Sequence, residues 1–206
     1  MPYSFLFYTD DDDEPLFQCV LDSLRCTANT RGGHRCTRQT VIGCGLCWSH
    51  LLSEKHLRIK QSTLAGAGKG LFAINPRAAD NTPIFRANER IIRYDGELLT
   101  RQQVDDRYGV YTAPYAVQLG NNIVDAAKQR GVGCLANHKP HGRANARLAV
   151  GRQDGPHIVL IANRAIRNGE EIFVDYGRQY RFNDGTHHET KQVSRRRAEA
   201  IAEAEN

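Results

Sequence analysis

From residue 57 onward the apolar positions come in short runs cut by Gly, Pro, Asn and Asp. The runs fall at 57–60, 70–74, 90–94, 115–119, 122–125, 147–150, 158–161 and 171–174. Short segments rich in β-branched residues and bounded by turn formers predict a mostly β domain of small sheets. Helical signals are fewer. Residues 48–55 read as one short helix closed before His56. Thr100 with Gln103 makes a capping box ahead of 104–108, and Gly109 ends that helix. A last helix is expected from Lys191 to about Glu205, with Arg195, Arg196 and Arg197 on a solvated face. Residues 1–20, with the acidic run from Asp10 to Glu14, read as a flexible tail or a loosely docked strand. The chain therefore divides into a tail (1–20), a Cys/His module (21–56), a β-rich domain (57–180) and a C-terminal flanking helix (181–206).

Composition narrows the class. A chain of 206 residues suits one domain plus a small appendage, and 40% hydrophobic with 25% charged residues is ordinary for a soluble globular protein. No apolar run reaches the roughly 18 residues of a membrane span, so no membrane partner is expected. The first residues lack a basic leader and a small-residue cleavage site, so secretion by a signal peptide is not expected either. A formal charge of +5 is compatible with an acidic or nucleic-acid partner without establishing one.

Five of the six cysteines, Cys19, Cys26, Cys36, Cys44 and Cys47, crowd the N-terminal quarter, and Cys134 stands alone. A disulfide framework belongs to a secreted chain; a tight cluster beside a histidine reads instead as a zinc site. Zinc needs four soft or borderline ligands in a tetrahedron, which short return loops supply without a large core. Gly32 and Gly33 let the chain reverse between Cys26 and Cys36. Cys47 and His50, at i and i+3, face one way on a helical turn. The favoured set is Cys26, Cys36, Cys47 and His50, with Cys44 as the alternative to Cys36 or Cys47. Unmetallated buried thiols are the bland alternative. No open coordination position is indicated, so the zinc is structural.

The run from Gly66 to Ala73 (GAGKGLFA) invites several readings. A phosphate loop needs a hydroxyl after the lysine, and Gly70 sits there. A dinucleotide fingerprint needs a helix to start at the loop, whereas 72–76 reads as a strand running into a turn. There remains a loop whose bare backbone lies against a ligand.

Further motifs follow it in order: Tyr94-Asp95-Gly96-Glu97, Tyr115, Asn137-His138, and Gly169-Glu170-Glu171 leading to Asp175-Tyr176-Gly177. With this combination, residues 57–180 resemble the SET-domain protein lysine methyltransferases. The resemblance implies small curved sheets with a knot-like crossing, where Asn137-His138 meets the chain around Tyr176. It implies S-adenosylmethionine as cofactor, held by Ala67, Gly68, Lys69, Tyr115, Asn137 and His138. It makes Tyr176 the catalytic tyrosine and puts Tyr94 near a channel for the substrate lysine. The substrate implied is a protein lysine, on a histone tail by family analogy, and the location nuclear or chromatin-associated, with the cytoplasm as alternative. Rival readings are a non-histone methyltransferase and a non-catalytic SET-like scaffold.

The residue chemistry agrees. In-line methyl transfer depends on positioning, which can lower a barrier by about 7–11 kcal/mol. The attacking amine must be neutral, which costs about 4 kcal/mol near neutral pH for a free lysine; burial beside a cationic sulfonium reduces that cost. Two departures stand out. Many relatives carry a cysteine soon after Asn-His and three more near the end, forming a zinc cluster that closes the channel. This chain has none after Cys134, and a lid built from Tyr180, Phe182 and the last helix is expected instead. Val174 stands where many relatives have Phe or Tyr, which leaves room for a second or third methyl group unless another tyrosine fills the gap, so the degree of methylation stays open.

Overall fold

The computed structural model describes residues 3–8, 15–21, 24–40, 45–109, 113–140 and 142–177. Strands β1 (Tyr3–Tyr8) and β2 (Pro15–Leu21) pair antiparallel. Residues 1–20, read from sequence as a flexible tail or a loosely docked strand, contain most of this pairing, for which the aromatic and aliphatic content of both runs is suited. Strands β3 (Leu24–Arg25) and β4 (Gln39–Thr40) clamp the ends of the first cysteine loop. Helix α1 (Trp48–Lys55) stops at His56, whose backbone is left-handed at φ 53° and whose N–H turns back to the carbonyls of Leu51 and Leu52.

The larger part opens with β5 (Leu57–Gln61), β6 (Lys69–Ala73), β7 (Pro83–Phe85), β8 (Arg90–Tyr94) and β9 (Glu97–Leu99). Helix α2 (Arg101–Tyr108) follows, with both halves of its capping box formed: Gln103 N–H donates to Thr100 Oγ1 at 3.2 Å, and Thr100 N–H to Gln103 Oε1 at 2.8 Å. Next come β10 (Ala116–Leu119), β11 (Asn122–Asp125), a 3-10 turn (Val132–Leu135) and β12 (Asn137–His138). Strands β13 (Ala146–Gly151), β14 (His157–Ala162), β15 (Ile166–Arg167) and β16 (Glu171–Val174) complete the described chain. Elements of two or three residues, such as β7, β9, β12 and β15, carry no periodicity to read. Tyr115, expected within a strand, lies in the turn just before β10.

The main sheet runs β5-β6-β16-β13-β14-β8, with β12 also on β16, beside a small β10-β11-β9 sheet. The last strand is therefore central. It pairs antiparallel with β6 and parallel with β12 (Asn137↔Phe173, His138↔Val174), and touches β13 at Ala146↔Val174. All four of its residues are buried, as a strand covered on both faces requires. Asn145, itself buried, fastens it: its Nδ2 donates to the Glu171 carbonyl at 2.8 Å, and its Oδ1 accepts from Phe173 N–H at 2.8 Å. The chain is thus small sheets wrapped around a knot-like crossing.

Helix α2 is tied to the small sheet by charge. Arg107 donates to Asp125 Oδ2 at 2.7 Å and to Glu97 Oε2 at 2.8 Å, and Tyr108 hydroxyl donates to the same Asp125 oxygen at 2.8 Å. Asp125 is fully buried, so each lone pair needs such a donor. The lid expectation on Tyr180 and Phe182 and the helix expected over 191–205 lie outside the described residues.

Candidate functional site

The Cys/His module brings four side chains together. His50 Nδ1 is 3.4 Å from Cys26 Sγ and 3.4 Å from Cys47 Sγ. With Cys36 included, the four ligand atoms all lie within 4.8 Å of one another. A zinc tetrahedron with Zn–S of about 2.3 Å and Zn–N of about 2.0 Å has S–N edges near ~3.5 Å, so the donor set fits a zinc ion. Cys47 caps α1, and the thiol chemistry follows from that place. Burial pushes its thiol up, but the N–H groups of His50 and Ser49, then the His50 ring and Cys26, outweigh it and bring it down to about 6. Burial likewise opposes ionisation of Cys26, and the N–H of Cys47, 3.2 Å from its sulfur, leads the groups that pull it below the ordinary thiol value. Cys26 and Cys47 are thus ready thiolates, as a metal ligand must be, whereas at Cys36 the Arg38 N–H favours the thiolate but burial and the neighbouring thiols raise it above the ordinary value. Cys44 lies outside the described residues. Cys134 is far from this cluster in sequence, and burial pushes its thiol up to about 12, leaving it inert.

The second constellation is built on the crossing. Tyr176 follows β16 and is held twice: its N–H donates to His138 Nδ1 at 3.1 Å, and its hydroxyl donates to the Ala136 carbonyl at 3.0 Å. The rings of His138 and Tyr176 lie 5.2 Å apart. Because Nδ1 accepts, the neutral imidazole carries its proton on Nε2. Burial pushes the His138 pKa down, against the Asp175 carboxylate and the Val174 backbone, which favour the cation.

Asn137 faces the glycine loop. Its Nδ2 donates to the Lys69 carbonyl at 3.0 Å and to Glu171 Oε1 at 3.1 Å. Glu171 in turn accepts from Ser62 Oγ and Thr63 N–H, each at 2.7 Å, and from Thr63 Oγ1 at 2.5 Å. Burial opposes its ionisation, but the Thr63, Ser62 and Asn137 hydrogen bonds together hold its carboxyl below the ordinary range. A Cβ at position 70 would run into this carboxylate, which explains Gly70. Gly66 and Gly68 have φ of 77° and 65°, and a Cβ at either would meet nothing within 4 Å. Strand β6 rather than a helix follows. The loop thus has open space beside Gly66 and Gly68, while Lys69 pairs with Gln61 and lends its carbonyl to Asn137.

Tyr94, Tyr115 and Tyr176 line one cavity of about 630 Å³, together with Tyr108, Cys134 and Ile158. Tyr94 hydroxyl donates to the Tyr115 carbonyl at 2.9 Å, which ties the Tyr94 ring to the backbone just before β10. The Arg130 guanidinium covers the Tyr115 ring, 3.9 Å from its centroid. Tyr115, matched by resemblance to the cofactor side, shares this tyrosine-lined wall with Tyr94 and Tyr176. Glu171 and Asn145 were not singled out from sequence, although the Gly-Glu-Glu motif contained the first; their partners lie far off in the chain.

A family model described as SET domain matches residues 68–177. An N-lysine methyltransferase, KMT5A-A of Danio rerio, is 30% identical over 125 residues, covering 55% of this chain and 33% of that protein. The histone-lysine N-methyltransferase Set8 of Drosophila pseudoobscura pseudoobscura is 28% identical over 137 residues, covering 62% of this chain and 18% of the other. The chain therefore spans a third or less of the length of these curated relatives. Among solved structures, ctPRC2 in an autoinhibited conformation bound to S-adenosylmethionine superposes with a TM-score of 0.50 at 25% identity, covering 69% of this chain and 17% of that one. A humanized mutant of Chaetomium thermophilum Polycomb Repressive Complex 2 bound to the inhibitor GSK126 also gives 0.50 at 25% identity, over 62% and 16%.

Proposed function

The chain belongs to the SET-domain family, and on that premise we propose that it is an S-adenosylmethionine-dependent protein-lysine N-methyltransferase acting on a histone tail. The observation that carries this reading is the double tether of Tyr176, by His138 and by the Ala136 carbonyl, at a cavity walled by Tyr94 and Tyr115.

The cofactor would supply a methyl group on a cationic sulfur. Ala67, Gly68 and Lys69 would hold it through their backbone, with Asn137 and His138 alongside; the bare, open side of the glycine loop suits close approach. The Tyr176 hydroxyl, fixed on Ala136, orients the substrate amine for in-line attack. Positioning of this kind is the largest contribution such a transfer needs. Tyr94 and Tyr115 exclude water from the amine, and that burial favours its neutral, nucleophilic form. Tyr115, matched by resemblance to the cofactor, would meet it from the wall that it shares with Tyr94 and Tyr176. The Cys26, Cys36, Cys47 and His50 set would hold a structural zinc. A histone substrate places the protein in the nucleus; no helix among the described residues is long and apolar enough to cross a membrane.

Transfer of labelled methyl to core histones is the test, with wild type compared with Tyr176→Phe. Loss of the oriented hydroxyl is expected to slow transfer by about 10²-fold or more with cofactor binding kept. Absence of cofactor binding in the wild type would leave a scaffold, and transfer confined to other proteins would leave a non-histone enzyme.

A further inference from the structure

Residues 21–56 carry five basic side chains, Arg25, Arg31, Arg35, Arg38 and Lys55, against two acids, Asp22 and Glu54. That is +3 of the chain's formal +5, and neither acid falls among the four arginines between Leu24 and Leu46. Three thiolates and one dication at the metal centre would offset only one of these charges. A solvated face ordinarily intersperses both signs; this one does not. All four arginines are exposed, and the hydrogen bonds of Arg25, Arg35 and Arg38 go to neutral oxygens. Arg25 Nε donates to the Cys36 carbonyl at 3.0 Å and Arg35 Nε to the Cys26 carbonyl at 3.2 Å, which sets two guanidinium planes on the cysteine loop itself. Arg38 donates to the Ser49 hydroxyl and lies over the Trp48 ring, 5.3 Å from its centroid. Trp48 is 63% exposed on the first turn of α1.

Guanidinium forks match phosphate oxygens in pairs, and an exposed aromatic face set among them is the stacking platform on which unpaired bases settle. A protein hot spot would instead seat its anchor in a desolvated pocket, and none of these residues lines the cavity described above. We propose that the Cys/His module of residues 24–56 is a docking surface for single-stranded nucleic acid, its phosphates meeting Arg31, Arg35 and Arg38 and a base stacking on Trp48. Neither the cavity nor Tyr176 takes part, so this surface stands or falls apart from methyl transfer.

Trp48 is the chain's single tryptophan, so its emission reports this surface alone. The full chain is titrated with a labelled single-stranded oligonucleotide, with its duplex, and with polyglutamate. The single strand is expected to quench Trp48 and to bind more weakly as salt rises. Arg31, exposed on the cysteine loop, is changed by Arg31→Glu with far-UV circular dichroism as the folding control. Affinity is expected to fall about tenfold, with the salt slope reduced by about 0.7. Trp48→Ala, followed by anisotropy of the labelled strand, is also expected to lose about tenfold. Unchanged affinity in either variant, or duplex binding as tight as the single strand without a change in emission, overturns the proposal. Polyglutamate competing equally at matched salt also overturns it, in favour of an acidic protein partner.

Discussion

Glu171 is the residue on which the most distant pieces of the site converge. Its carboxylate takes four hydrogen bonds, three from Ser62 and Thr63 at the foot of the glycine loop and one from Asn137. All four donors point at oxygen, so an amide in its place turns one acceptor into a donor facing donors. Glu171→Gln is therefore expected to destabilise the fold by about 1–3 kcal/mol. If the loop holds the cofactor, the same change raises the KM for S-adenosylmethionine more than it lowers kcat. Thermal melts and steady-state kinetics read the two effects. A variant with wild-type Tm and KM would mean that the loop keeps its shape without this anchor. Glu171 was unreadable in advance because its partners sit 34 to 109 positions away.

At the scale of elements, the Cys/His module depends on bonds that cross its loops. Among the described residues its buried side chains are few, chiefly Cys26, Cys36, Thr40, Leu46, Cys47 and Leu51, and so small a core needs a further tie. Zinc removal by a strong chelator is expected to unfold this module while the β-rich domain keeps its own transition. Trp48 emission would report the first and far-UV circular dichroism the second. Lowering the pH is expected to release the metal as the thiolates take up protons, at a pH below the metal-free Cys47 value of about 6 because the ion competes with the proton. A chelator without effect on Trp48 emission would leave the four side chains as unmetallated thiols. Helix α2 is the opposite case, an element written in local code: Thr100, Gln103 and Gly109 fix both its ends. What those residues could not announce is the Arg107–Asp125–Glu97 cluster that orients it against the cavity wall.

At the scale of the molecule, the crossing joins β12, β13 and β16 and is locked by His138 accepting from Tyr176 N–H. Burial holds the His138 pKa below its unfolded value of about 6.5. The unfolded chain then binds the proton more readily, so the stability linked to this group is complete above about pH 6.5. It is lost as pH falls toward the folded value, where a protonated Nδ1 would oppose the Tyr176 N–H. The melting temperature is expected to drop over that window, and His138→Gln to flatten this part of the profile. A wild-type profile that is level from neutral pH down to about 5 would show that His138 does not close the crossing.

What the sequence determined by itself is local: short strands broken by turn formers, the caps of α2, the end of α1 at His56, a glycine loop running into a strand. Each depends on neighbours within a few positions, where side-chain chemistry and backbone preference act directly. The spacing of Cys26, Cys36, Cys47 and His50 belongs partly here, and their four ligand atoms lie together, while Cys44, the rival that spacing allows, lies outside the described residues. Only the tertiary structure decided that the last described strand lies at the centre of the sheet, that Asn145 and Glu171 hold it and the glycine loop in place, and that Tyr115 shares a wall with Tyr94 and Tyr176. Those outcomes rest on contacts between residues far apart in the chain. The free energy of such contacts comes from burial and from satisfying polar groups that burial strands, and no short stretch of sequence records which distant partner will do so.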